Sequence, residues 1–309
     1  MNIELSTAYI GIDCRDPVQV GRYLHAVVGL MPAEPAAGAE SRWRNDGKAA
    51  RVWLRQAERD DAAAIGLEAV DAAAYRRVLQ RLAAAGVATT PLSPAERELR
   101  GVGEGVSMMS PWGVKVDVVL GLVDAATPFA SPHYPDGFVT GAQGFGHYVF
   151  VVNTAEAYEA SRRFAMEALG MKLSDTLRMA LGPAGAPEMN VSFLHANPRH
   201  HSLALAFVPM PEVPQKLHHV NFEVAAVAPV GAAYERALAA KTPLANTIGQ
   251  HENDGMVSFY SVSPGGWLVE IGATGRTVGE DWDDRREYHR ISLWGHQPPT
   301  VLQQLLVGA

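Results

Sequence analysis

The chain of 309 residues carries a single cysteine, Cys14. One thiol forms no internal disulfide, and a metal cage built of cysteines is excluded. No basic block is present either. Lys and Arg number 26 against 33 Asp and Glu, a net charge of −7 with His neutral. That balance argues against nucleic acid or an anionic membrane as partner. No apolar run is long enough to span a bilayer. The opening MNIELSTAYIGID lacks a charged segment followed by an apolar one, so no secretory signal is expected. A reducing cytoplasm fits these absences. What remains is ordinary globular material, 48% hydrophobic and 19% charged, enough for two domains or one large one.

The chain repeats itself. AYIGIDCRDPVQVGRYLHAVVGLMPAE from Ala8 and GHYVFVVNTAEAYEASRRFAMEALGMKLSD from Gly146 each read as an alternating strand, a polar turn and an amphipathic helix ending near a Gly. VSMMSPWGVKVDVVLG from Val106 and VSFYSVSPGGWLVEIG from Val257 each read as a strand, a Ser-Pro-X-Gly turn and a second strand. Between these marks each half holds another strand and helix. Helices with mostly antiparallel strands make an α+β protein of two similar domains. The first spans residues 1–125. A Pro-, Gly- and Ala-rich linker spans 126–145 and the second domain spans 146–272. A polar tail, 273–309, is expected to end in a short apolar helix at VLQQLLV.

Of the 11 histidines, position says more than number. His147 falls in the first strand of the second half, His219 in the strand LHHVNFEV and Glu270 in the last strand. Two neutral imidazoles and a carboxylate from three neighbouring strands make the facial triad expected of non-haem Fe(II) oxygenases, with coordination positions left open. By the repeat, Tyr9, Ala64 and Asp117 hold the equivalent places in the first half, so a metal is expected in the second half only. A lone His on a strand is more often a hydrogen-bonded core residue; the trio at equivalent positions favours the metal. Strand alternation puts His219, Asn221 and Glu223 on one face, so His219 is taken as ligand and His218 is expected to point the other way.

With those residues in place, the chain resembles the type I extradiol ring-cleaving dioxygenases of the vicinal oxygen chelate superfamily, most nearly those acting on 2,3-dihydroxybiphenyl. The likeness covers nearly the whole chain. It rests on His251-Glu-Asn-Asp254 followed by Tyr260, Pro264 and Glu270, and on GFGHYV, NPRHHSLALAF and LHHVNFEV. It implies two domains, each of two paired βαβββ modules, the first non-catalytic and the second metal-binding. It implies metal ligands His147, His219 and Glu270 for Fe(II), with Mn(II) suiting the same donors. His201, His251, Asp254 and Tyr260 then act around the metal, and Val149, Met179, Phe193 and Ile291 give apolar contacts to substrate. Gly255 departs from relatives that have His there. Substrates would be a catechol and O2, used in degradation of aromatic compounds. The tail would pack near the site, and a homo-oligomer, an octamer as candidate, is implied.

In that scheme His251 and Tyr260 hydrogen-bond the substrate oxygens, Asp254 holds His251 in one tautomer and His201 donates a proton as the O–O bond breaks. A three-residue loop, 264–266, would put Tyr260 opposite Glu270. Two rivals are a glyoxalase- or epimerase-type enzyme of the same fold, and a non-catalytic module binding an aromatic ligand.

Overall fold

A computed structural model describes residues 4–183, 185–213 and 215–299 of the chain. Alternation of apolar residues drives two mixed sheets. The first contains β1 (Leu5–Cys14), β2 (Met31–Pro32), β3 (Ser41–Arg44), β4 (Val52–Gln56), β5 (Asp61–Ala69), β6 (Thr90–Pro91), β7 (Val102–Met109) and β8 (Lys115–Leu122), in the order β2-β3-β4-β1-β5-β8-β7-β6. The second contains β9 (His147–Val152), β10 (Lys172–Ala180), β11 (Glu188–His195), β12 (Leu203–Phe207), β13 (Leu217–Val224), β14 (Leu244–His251), β15 (Val257–Val262) and β16 (Leu268–Ala273). Two short strands of the tail extend it, β17 (Glu287–Tyr288) and β18 (Ser292–Trp294). The order is β17-β10-β11-β12-β9-β13-β16-β15-β14-β18.

Each half is thus a pair of βαβββ modules joined where their first strands run antiparallel, β1 with β5 and β9 with β13. The three strands that close the first module of each half, β2–β4 and β10–β12, go beyond the strand-and-helix unit read from the repeat. Three helices start where a side chain accepts a first-turn N–H: Asp16 before Pro17–Tyr23, Asp71 before Ala72–Ala84 and Thr154 before Ala155–Arg163. In both halves the first helix continues into a π turn, Leu24–Val28 and Phe164–Ala168. The helix Val227–Ala239 completes the second half.

The outer face of each sheet buries Ile10, Ile12, Phe150, Val220, Phe222 and Ile271 among the helices. Apolar burial of this extent, worth ~25 cal/mol per Å², is the main force on the fold. The connector between the halves is packed down, with Tyr134, Phe138 and Phe145 buried. No helix among the described residues is long and apolar enough to cross a membrane. The apolar segment VLQQLLV lies outside the described residues.

The inner faces of the two sheets differ. In the first half Gly11 leaves room for the Trp53 ring, which a Cβ would meet at 1.9 Å, and Gly66 leaves room for Tyr9, at 2.4 Å. A helix, Pro94–Arg100, closes over that face and brings in Arg100. The face is packed solid around Tyr9, Trp53 and Leu99. In the second half Val149 and Asn221 stand at the positions of Gly11 and Gly66, and a turn, residues 252–256, replaces the helix. A cavity of about 250 Å³ stays open there.

Candidate metal centre

His147, His219 and Glu270 come from the adjacent strands β9, β13 and β16. Asn221 on β13 pairs with His147 on one side and Glu270 on the other, and His219 lies two residues before Asn221. The pleat therefore turns all three side chains to the inner face. His147 Nε2 lies 3.2 Å from His219 Nε2 and 3.2 Å from Glu270 Oε2, and His219 Nε2 lies 3.6 Å from the same oxygen. All three residues are buried.

The carboxylate is held by its other oxygen. Ser258 Oγ donates to Glu270 Oε1 at 2.7 Å and Tyr260 Oη at 2.8 Å, and His251 Nε2 lies 3.2 Å away. Asn221 Nδ2 donates to Oε2 at 3.1 Å. Burial pushes the Glu270 carboxyl up, but the hydrogen bonds from His147 and His251 override it and hold it well below the usual range. Burial drives His219 well below the ordinary imidazole value. It therefore stays neutral with a lone pair to give.

Two nitrogens and one carboxylate oxygen converging on one buried point suit a divalent cation with N/O ligands. Burying such a set with nothing to compensate it is costly. The His219 ring is also oriented from behind, its Nδ1 2.7 Å from Nδ1 of His218. A partner on the far nitrogen is the usual support of a metal-binding imidazole. The residues fit the group.

His218 corrects the sequence reading. A β-bulge sets Leu217 opposite Phe150 and His219 opposite Val149, so His218 is the extra residue. Strict alternation fails at a bulge, and both histidines face the same cavity.

The residues expected around the metal take up both flanks. Tyr260 pairs with Glu270 in the hairpin β15–β16, as the three-residue loop requires. Its hydroxyl lies 2.7 Å from His251 Nε2. Burial and the Glu270 charge raise the Tyr260 phenol well above its ordinary value, so it remains a donor. Burial opposes the charge on His251, but Glu270, Asp254 and the Ile291 carbonyl raise it to about 9. On the other flank, the His201 ring lies 3.9 Å from the His147 ring and edge-on to Phe193 at 5.0 Å. His201 is buried, and desolvation with the neighbouring imidazoles His147 and His200 depresses it well below 6.5.

Asp254 does not hold His251 as expected. His251 Nδ1 lies 3.2 Å from the Ile291 carbonyl oxygen, while Asp254 Oδ1 accepts from the Met256 N–H at 2.9 Å. The reason is local: the turn after β14 needs its own backbone cap, and the tail reaches His251 first. Gly255, at φ +69°, takes a left-handed conformation in that turn that a His would strain.

Val149, Phe193 and Ile291 line the cavity; Met179 does not. Leu177 and Met189 form that wall instead. Met179 pairs with Met189 and lies two residues beyond Leu177 on β10. Pattern alone also missed Asn221, Ser258, Asp175 and His200. Of these, Asn221 and Ser258 stand as buried polar residues inside apolar strands, a signal they share with Glu223 and Ser261.

The profile of the Glyoxalase/Bleomycin resistance protein/Dioxygenase superfamily matches residues 144–271. The chain is 36% identical over 296 residues to a biphenyl-2,3-diol 1,2-dioxygenase of Metapseudomonas furukawaii, covering 94% of this chain and 93% of that one. It is 35% identical to an iron-dependent extradiol dioxygenase of Rhodococcus jostii (strain RHA1), covering 94% and 96%. Among solved structures it is similar to a halotolerant catechol dioxygenase, with TM-score 0.86, 29% identity, and coverage of 97% and 96%.

Proposed function

The chain belongs to the extradiol ring-cleaving dioxygenases of the vicinal oxygen chelate superfamily, and from that premise we propose that it opens a bicyclic catechol of the 2,3-dihydroxybiphenyl type beside its two hydroxyls, adding both atoms of O2. One observation carries the reading: the convergent His147, His219 and Glu270 atoms face the cavity whose far walls are apolar. His147, Val149 and Val151 succeed one another on the same face of β9, so the cavity extends ~13 Å from the trio at ~3.3 Å per residue. That length takes a second ring. Val151, Val191, Ala206 and Val208 offer it only apolar surface.

His147, His219 and Glu270 would hold Fe(II), and Mn(II) suits the same donors. When bound, the metal supplies Lewis acidity toward a catechol hydroxyl and an electron path between O2 and the ring. The chain's residues do the rest. Ser258 and Tyr260 hold Glu270 with its Oε2 toward the two imidazoles. His251 and Tyr260 form a hydrogen-bonded pair able to hold a substrate oxygen and share its proton. His201, neutral and on the opposite flank, accepts a proton and returns it as the ring opens. Phe193 edges His201 and presents an aromatic wall to the substrate ring. Arg290 at the rim is paired with Glu252 through two bonds of 2.9 Å.

The division of labour belongs to the same reading, with residues 1–125 supporting and 146–272 catalytic. So do a cytoplasmic setting, favoured by the lone reduced Cys14, and a homo-oligomer, favoured by the family likeness. An oxygen-uptake screen of the iron-loaded protein over a catechol panel tests the activity. Rapid uptake with 2,3-dihydroxybiphenyl and a yellow product supports it; no uptake with any diol rejects it.

A further inference from the structure

Behind His201, away from the cavity, lies a second polar chain that the reaction as described above does not use. Asp175 Oδ2 is 2.8 Å from His200 Nε2, and His200 Nδ1 is 3.1 Å from His201 Nδ1. All three residues are buried. Asp175 is fixed in turn: Asn253 Nδ2 donates to its Oδ1 at 3.3 Å. Ser174 Oγ donates to the His200 carbonyl, and the Trp282 ring stands edge-on to the His200 ring at 5.3 Å. Trp282 itself donates to the Ser174 carbonyl at 2.7 Å. The tail therefore pins His200 against Asp175.

A carboxylate accepts, so a His200 with one ring hydrogen carries it on Nε2 and leaves its Nδ1 bare. The contact between the two Nδ1 atoms needs one hydrogen, and only His201 can then supply it. His201 Nδ1 is thereby committed as a donor, and its Nε2 is left bare. Asp254 does not compete, since its Oδ2 lies 4.0 Å from His201 Nδ1. We propose that His200, anchored by Asp175, is a positioning residue that fixes the tautomer of His201, keeping its Nε2 free to take a proton from substrate. The buried carboxylate also offsets, through His200, the charge His201 gains in doing so. A carboxylate orienting one imidazole is familiar; here a second imidazole stands between the carboxylate and the acid–base residue. The inference rests on the reading of His201 as that residue.

The test is ¹⁵N solid-state NMR of histidine-labelled, full-length protein carrying Zn(II), with oxygen-uptake kinetics of the iron-loaded form. In the wild type, His201 is expected as the Nδ1–H tautomer. His200→Leu is expected to shift His201 to a mixture and to lower kcat about 10- to 100-fold with KM nearly unchanged. His200→Asn keeps an acceptor beside His201 Nδ1 and is expected to restore most of kcat. Asp175→Asn, which preserves size, is expected to mix the tautomers if the leucine variant fails to fold. A wild-type His201 in the Nε2–H tautomer, or a leucine variant with unchanged kcat, overturns the inference. The NMR result stands whether or not any catechol is cleaved, so failure of the proposed activity is distinguished from failure of this role.

Discussion

The hydroxyl of Tyr9 lies 2.7 Å from Oδ2 of Asp117, at the two positions that His147 and Glu270 hold in the other half. Arg100 Nε closes the group at 2.6 Å from the same oxygen. The first half thus pairs one oxygen of its inner carboxylate with a phenol and a guanidinium, where the second half presents two imidazoles. One repeat has a closed polar knot and the other a centre with room for a guest.

Removing Asp117 therefore costs stability and not metal. Asp117→Ala takes from buried Arg100 its near carboxylate and leaves it only the more distant Glu96 at 3.7 Å, a change worth up to ~3–5 kcal/mol. Denaturant unfolding is expected at a clearly lower midpoint, with iron per folded chain unchanged. An unchanged midpoint, or loss of iron from folded protein, contradicts the assignment.

His219 and His218 separate ligand from support. His219→Ala is expected to lose iron and activity together. His218→Ala keeps the three donors but removes the group 2.7 Å behind His219. It is expected to bind iron with affinity lowered about 10- to 100-fold. Metal titration of both variants checks this; the opposite ranking would exchange their roles.

Tyr260→Phe removes a hydroxyl shared by His251 and Glu270. Iron is expected to stay, since three donors remain, while kcat falls by about 10²-fold, the scale of acid–base assistance. Full turnover in the variant would leave Tyr260 a merely structural residue.

The far end of the cavity sets substrate length. Ala206 pairs with Val151 and lines the wall remote from the trio. Ala206→Phe is expected to raise KM for 2,3-dihydroxybiphenyl at least about tenfold, the penalty of displacing a ring from an apolar site. Unsubstituted catechol should be affected little. Equal effects on both would place the second ring elsewhere.

How far the sequence revealed this site depends on the kind of signal each residue leaves. The convergence of His147, His219 and Glu270 was legible because the chain contains its own control: Tyr9 and Ala64 stand where His147 and His219 do. The place of Tyr260 opposite Glu270 followed from counting the hairpin loop, while its role came with the family resemblance. His218 was misplaced because a bulge leaves no trace in alternation. The partner of His251 was missed because it is a main-chain carbonyl, and every residue has one. Met179 came with the family resemblance, and Leu177 and Met189 line the cavity where it was expected. Asp175 and His200 lie 25 residues apart in sequence, and only the fold brings the two side chains together.

Cys14 gives a check on the fold that is independent of catalysis. Burial, with Asp60, Asp13 and Asp16 nearby, pushes its thiol up to about 12. At pH 8 only ~10⁻⁴ of it is thiolate, and the thiolate is the nucleophile. Native protein is expected not to react with a thiol reagent that labels one equivalent after unfolding in guanidinium. Rapid native labelling would contradict the burial of β1.

The central claim is that the later half grips a divalent ion in a cavity built for a two-ring catechol. The most direct measurement is turnover of 2,3-dihydroxybiphenyl under ¹⁸O2 by anaerobically iron-loaded protein, with mass spectrometry of the product. The account predicts a ring-opened product containing both labelled oxygens. An intact ring, or a product with neither label, would contradict it.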